Sequence, residues 1–209
     1  MGVFRVKKII LICAVVLVLF LIAFSGKMKD EKKILAERKY HAAPAAGEMV
    51  KIAVNGREFL IDVYEYPNKK GEIPKGGMTY DAARRACESA GKRLCTNSEW
   101  TEACQGARLA EYGFGKVFIK KKCNNLHSDR RVASSGGFSG CATKDGVYDM
   151  SGNLWEWVSP GKTGALQAKG GSFRDGELSE RCVFTFKLFR VQEKGMSFDN
   201  FGARCCKEP

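Results

Sequence analysis

Histidine is nearly missing from this chain: among 209 residues only His41 and His127 are histidines. They lie far apart and no Cys-x-x-Cys pair accompanies them, so a zinc site has no ligand spacing to build on. His127 stands among Asn, Ser and Asp with no relay arranged around it, which removes the support for a nucleophilic triad. No internal repeat occurs, and no nucleic-acid-binding motif accompanies the basic residues. Outside residues 9–24 there is no long apolar run.

That one run matters. Arg5, Lys7 and Lys8 precede it, and Ser25, Gly26 and the lysines at 27, 29, 32 and 33 follow it. Its length lies at the lower limit of a spanning helix and the upper limit of a signal-peptide core. A small-x-small cleavage site (Ala23, Phe24, Ser25) leaves a removed signal open, but the run is long for one, and an uncleaved anchor over 9–25 is expected. Cys13 inside it acts as an apolar filler. The net charge is +12, and residues 1–41 carry nine Lys/Arg against three Asp/Glu, which is half of it. Charge placed beside a membrane segment points to anionic head groups rather than nucleic acid.

The remaining eight cysteines are Cys87, Cys95, Cys104, Cys123, Cys141, Cys182, Cys205 and Cys206. An even set behind an export segment implies disulfides and an oxidising compartment. The chain thus divides into a cytoplasmic N-terminus (1–8), the anchor or signal segment (9–25), a charged linker (26–47) and an extracytoplasmic domain (48–209).

Within the domain, Val50, Ile52 and Val54 alternate with polar residues, Asn55-Gly56 marks a hairpin, and residues 59–64 read as the return strand. Thr79 caps a helix with Ala82, Ala83, Ala86, Cys87 and Ala90 on one face, stopped by Gly91. A second helix starts at Thr96 or Ser98 and runs to Gly106. A long irregular stretch follows as far as Val147, and such a stretch needs a staple. Strands are expected again over 168–173, 183–189 and 201–206, with Phe184, Phe186, Leu188 and Phe189 in the core. The class is α+β: two helices among short antiparallel strands.

The most informative block is Gly146-Val147-Tyr148-Asp149-Met150-Ser151-Gly152-Asn153-Leu154-Trp155-Glu156-Trp157. Gly-Asn supplies the positive-φ positions of a tight turn, and the two tryptophans need one buried side. By periodicity alone this is a half-buried strand end. Asp145 and Asp149 read as turn residues rather than a catalytic pair.

The block resembles the signature of the formylglycine-generating enzyme (sulfatase-modifying factor) family. Phe59 to Asn68, Ala82 to Trp100 with its Gly-Lys-Arg-Leu-Cys-Thr, Gly170-Gly171-Ser172-Phe173, and Gly202-Ala203-Arg204-Cys205 resemble further family segments in the same order. The resemblance implies a C-type-lectin-like fold with little regular structure. It implies disulfides Cys87–Cys205 and Cys104–Cys182. Of the four cysteines left, Cys95 stands where the family has a proline and Cys206 is an added second cysteine at the end, so a Cys95–Cys206 bridge is expected, with Cys123–Cys141 closing the long loop. It also implies calcium, held at the turn by Asn153 and Glu156 and elsewhere by Asn124. The alternative is that Asn153 caps the turn and Glu156 accepts backbone or arginine hydrogen bonds.

The family's chemistry uses two cysteines after the Gly-Gly-Ser-aromatic segment to bind Cu(I) and oxidise a substrate cysteine. Those positions are Asp175 and Glu180 here, beside Ser172, and a hard carboxylate does not replace a thiolate on Cu(I). The expectation is a non-catalytic binding or accessory module with an unidentified protein or ligand partner. The alternatives are an oxidoreductase recruiting Cys182, Cys205 or Cys206, and a lectin-like ligand binder. The basic runs at 120–122 and 130–131 form a solvated face that could meet an acidic partner or lipid head groups.

Overall fold

The computed structural model describes residues 47–54, 56–160, 164–188 and 195–209. The expected anchor, the linker up to residue 46 and the N-terminus lie outside them, as do Phe189 and the hairpin residue Asn55. Among the described residues no helix is long and apolar enough to cross a membrane.

Strand β1 (Met49–Val54) pairs antiparallel with β2 (Arg57–Asp62), Ile52 opposite Phe59. Both of these residues are buried, as the alternating pattern requires. Helix α1 (Tyr80–Ser89) begins at Thr79, whose hydroxyl accepts from the Ala82 amide, and buries Tyr80, Ala83 and Cys87. β3 is the pair Arg93–Leu94. Helix α2 (Asn97–Gln105) opens on a capping box: the Thr96 hydroxyl accepts from the Glu99 amide, and the Glu99 carboxylate accepts from the Thr96 amide. Two otherwise unpaired donors at the helix start are satisfied at once, so Thr96 rather than Ser98 is the cap.

The chain then runs without a named strand or helix until β4 (Trp155–Val158). The elements that follow are β5 (Leu166–Lys169), β6 (Phe186–Leu188), β7 (Phe201–Ala203) and β8 (Cys205–Lys207). Two four-stranded sheets result, ordered β1-β2-β8-β3 and β6-β5-β4-β7.

Several expectations need correction, the strand over 183–189 among them, which is only Phe186–Leu188 in the described residues. The strands are not all antiparallel, because β4 runs parallel to β7, with Trp155 opposite Phe201. The strand expected over 168–173 stops at Lys169, since Gly170 (φ +95°) and Gly171 (φ +73°) turn the chain out of the sheet. The expected strand 201–206 is two strands in different sheets, with Arg204 alone between them. The half-buried strand end is also more than that: every residue of β4 is buried, Glu156 included. A strand with sheet neighbours on both sides and core on both faces has no solvated row.

The two faces of β4 belong to two cores. One gathers Ile52, Phe59, Ile61, Trp100, Ala103, Met150 and Val158. The other gathers Tyr80, Ala83, Leu94, Trp155, Trp157, Leu166 and Phe201, with Phe184, Phe186 and Leu188 packed half-buried against it. Four disulfides join Cys87–Cys205, Cys95–Cys206, Cys104–Cys182 and Cys123–Cys141. The first two fasten α1 and β3 to the β8 segment; the third ties α2 to the segment after β5. The fourth closes the irregular stretch, which has few regular hydrogen bonds of its own to hold it.

Candidate functional site

The aromatic turn places Gly152 (φ +79°) and Asn153 (φ +60°) in the left-handed region, which aims the Asn153 side chain inward. Its Oδ1 accepts from the Asn124 amide group at 2.8 Å and from the Ala133 backbone N–H at 2.9 Å. Its Nδ2 donates to the Glu65 carboxylate and the Ala133 carbonyl. Three residues on, both oxygens of Glu156 accept from Arg204: Nε lies at 2.9 and 3.1 Å and Nη2 at 2.7 Å. Trp100 Nε1 donates to the same carboxylate at 2.6 Å.

Arg204 completes its fork on the Asp62 carbonyl (2.9 Å) and the Tyr148 carbonyl (2.8 Å). Neither Arg204 nor Glu156 has any exposure to solvent. The pair sits where the chain leaves one sheet for the other, so it joins α2, β2, β4 and the turn. Calcium does not fit these side chains: the Asn153 oxygen already accepts two hydrogen bonds, and both Glu156 oxygens are engaged. Asn124 is spent on the same network, its Nδ2 donating to Asn153 and to the Arg131 carbonyl (2.9 Å). The arginine-bonded alternative is the arrangement present.

Two further carboxyls, Glu65 and Asp149, lie buried beneath the turn. Glu65 is buried, and loss of water, with the Asp149 and Glu156 charges nearby, holds its carboxyl well above the usual range. Burial pushes Asp149 up to about 7, although its oxygen accepts from the Gly136 amide at 2.7 Å. Asp145 is in a turn as expected, whereas Asp149 is not: it follows the Ala142–Tyr148 bridge at φ +59°. Only its burial marks it, and burial at a single position leaves no periodic trace.

The positions where the family resemblance expects the copper cysteines, Asp175 and Glu180, lie on the segment after β5. The Ser172 hydroxyl donates to Asp175 and accepts from the Asn200 side chain (2.9 Å) and the Arg174 amide (3.2 Å). Glu180 is fully buried. Its Oε2 accepts from the Asn125 side chain at a long 3.4 Å, and its Oε1 has no partner. Burial, with a smaller push from the Asp175 charge, raises its carboxyl to about 8. Every neighbouring sulfur is in a disulfide, Cys182 with Cys104 among them. Oxygen donors and bonded sulfurs are a poor set for a soft ion, so copper does not fit. Among the described residues no cluster of three or more His, Cys, Asp or Glu could hold a metal.

Glu180 gives a testable pH dependence. An unfolded chain releases this proton near the ordinary carboxylate value of about 4.3, and the folded chain keeps it up to about 8. Between those values folding takes up a proton, so stability falls as pH rises. Asp149 acts in the same sense up to about 7. Lys169, buried and lowered to about 7, acts oppositely, adding stability as pH rises from there toward its unfolded value. The difference between wild type and Glu180→Gln isolates the first contribution. Urea titrations are expected to show wild type losing roughly 3–5 kcal/mol more than the variant between pH 5 and 9, at ~1.4 kcal/mol per unit. Parallel pH profiles would mean that Glu180 is not held neutral.

The family profile described as Sulfatase-modifying factor enzyme 1-like domain matches residues 49–209. The chain belongs to this family. The inactive C-alpha-formylglycine-generating enzyme 2 of Bos taurus is 28% identical over 155 residues, which is 66% of this chain and 51% of that protein. The formylglycine-generating enzyme of Mus musculus is 34% identical over 96 residues, 39% of this chain and 26% of its own length. The match thus spans about half the length of the inactive relative and about a quarter of the murine enzyme. The solved structure of Treponema denticola variable protein 1 superposes with a TM-score of 0.60 at 12% identity, covering 78% of this chain and 93% of that one. That likeness bears on fold alone, which is C-type-lectin-like.

Proposed function

We propose that this chain is a membrane-anchored, extracytoplasmic sulfatase-modifying-factor domain that has given up copper chemistry and serves as a binding or accessory module. The carrying observation is the pair Asp175 and Glu180 where the family's thiolates are expected, within a domain whose eight cysteines are all joined in disulfides. The catalytic cycle of the family needs a thiolate to hold Cu(I) and to engage a substrate cysteine; an oxygen does neither. The similarity to a protein named as an inactive formylglycine-generating enzyme supports the reading. Anchoring through residues 9–25, with the N-terminus in the cytoplasm and the domain outside, is supported by the apolar run and by disulfides, which persist in oxidising compartments.

The second reading is a formylglycine-generating oxidoreductase with a relocated metal site, favoured by the similarity to the murine enzyme. It would have to open a disulfide of Cys182, Cys205 or Cys206 to gain a thiolate. The deciding experiment incubates the purified protein with Cu(I), oxygen and a cysteine-containing sulfatase-type peptide. An unchanged peptide mass is expected. Stoichiometric copper binding with conversion of the cysteine to an aldehyde would establish the oxidoreductase instead.

A further inference from the structure

A cleft of about 540 Å³ opens beside the disulfide-closed loop. This is within the 300–1,000 Å³ range of ligand pockets. Its walls divide by chemistry. Ile73, Val132 and Phe138 give an apolar side, Asn124 and Ser134 a polar one, and Lys121 and Arg131 supply positive charge beside one acid, Asp129. Ile73 is 58% exposed, a large apolar side chain standing open to water at the cleft.

The cleft is separate from the Asp175 and Glu180 positions. Adjacent residues on one segment serve the two places: Asn124 lines the cleft, whereas Asn125 faces Glu180. The floor is rigid, since Asn124 and Ala133 are both hydrogen-bonded to Asn153 at the aromatic turn. The walls carry strain. Lys121 (φ +59°) lines the cleft, and Arg130 (φ +54°) lies between the lining residues Asp129 and Arg131; both occupy the left-handed region without being glycine. Such conformations persist where the surrounding structure holds them, and they gather at ligand clamps.

Charge names the ligand. Of the residues that line the cleft, Lys121 and Arg131 are basic and Asp129 is acidic, and Lys120, Lys122 and Arg130 adjoin them in sequence. Asp129 lies 3.5 Å from Arg131, but both side chains are about 80% exposed, so water and salt screen that pair and leave Arg131 able to exchange partners. An arginine fork beside lysines suits carboxylates, and a concave wall with Phe138 and Ile73 suits an apolar side chain next to them. A flat lipid surface would use the charge but not the concavity.

We propose that this cleft is the partner-binding site of the module, and that it takes an extended acidic peptide segment carrying an apolar side chain. The proposal rests on the binding-module reading. The copper assay tests that reading without involving the cleft, so the two can fail separately.

The test uses the full-length protein in non-ionic detergent and a short blocked peptide alternating Asp with Leu, titrated by calorimetry at low salt. Saturable one-to-one binding is expected, weakened at least ~10-fold by the Lys121→Glu/Arg131→Glu double variant and by salt near ~0.5 M. Phe138→Ala should weaken it several-fold. Lys207→Glu, which reverses a charge on β8, should leave it unchanged. All the replaced groups other than Phe138 are exposed, so unaltered thermal unfolding of the charge variants separates lost binding from lost fold. The proposal is overturned if the Asp peptide fails to bind, if its Asn counterpart binds equally, or if Lys207→Glu weakens binding as much as the cleft variants. Binding of phosphatidylglycerol vesicles, sensitive to the double variant, with no peptide binding would overturn it in favour of a lipid surface.

Discussion

Replacing Arg204 by methionine is expected to destabilise the domain by about 3–5 kcal/mol, a large share of the roughly 5–15 kcal/mol that holds a typical domain folded. The guanidinium neutralises the buried Glu156 carboxylate through both oxygens and satisfies two carbonyls from separate segments, Asp62 and Tyr148. Methionine fills most of the volume, but it strands a carboxylate that has lost its counter-charge, with Glu65 and Asp149 close by. Lysine is no conservative exchange, because one ammonium cannot reproduce the planar fork. Adding Glu156→Gln to Arg204→Met should recover part of the loss, since no unpaired charge then remains. Urea midpoints at constant m-value measure each variant and their coupling. Equal losses for the single and double variants would show that the arginine acts through packing rather than charge.

Gly152→Ala is the second large effect. The glycine lies at φ +79°, and a Cβ built there would collide with the backbone carbonyl of Asn124. Both faults act together: alanine resists the left-handed region, and the obstacle is backbone rather than a side chain that can swing away. Relief would require the Asn124 segment to move, breaking the hydrogen bonds that the Asn153 and Gly152 region makes with it. A loss of about 3 kcal/mol or more is expected, by comparison of strain and buried hydrogen-bond costs. Alanine at Gly146, where the added Cβ meets nothing within 4 Å, keeps the strain and lacks the collision. Its loss should be markedly smaller, and a comparable loss at both positions would remove the collision from the explanation. Thermal unfolding monitored by near-ultraviolet circular dichroism reads both.

Much of the scaffold is legible in the chain. The Thr79 and Thr96 caps, the alternation of β1 and β2 and the Gly-Asn turn are local signals, and local signals survive without tertiary context. The pairing of β4 with β7 is not local: residues 155–157 meet residues 201–203 through a sheet that the three-residue length of β7 could never announce. The burial of Glu156 is hidden for the same reason, since a glutamate between two tryptophans reads as an edge residue until Arg204 arrives from the far end of the domain. Glu180 is the clearest case. Its position is exposed as anomalous by resemblance, but only the fold shows an acid without solvent and with one oxygen unpartnered. The cleft lies equally beyond the sequence: the lysines read as a solvated face, and the loop geometry that sets Arg131 and Phe138 around a concavity leaves no periodic signal.

The central claim is that no thiolate remains where the family keeps its copper. Counting thiols on the full-length protein, denatured in guanidinium without reductant, tests it most directly. The account predicts at most one reactive thiol per chain, from Cys13, with the eight domain cysteines unreactive until a reductant is added. Three or more thiols, with Cys182 among those labelled, would contradict it.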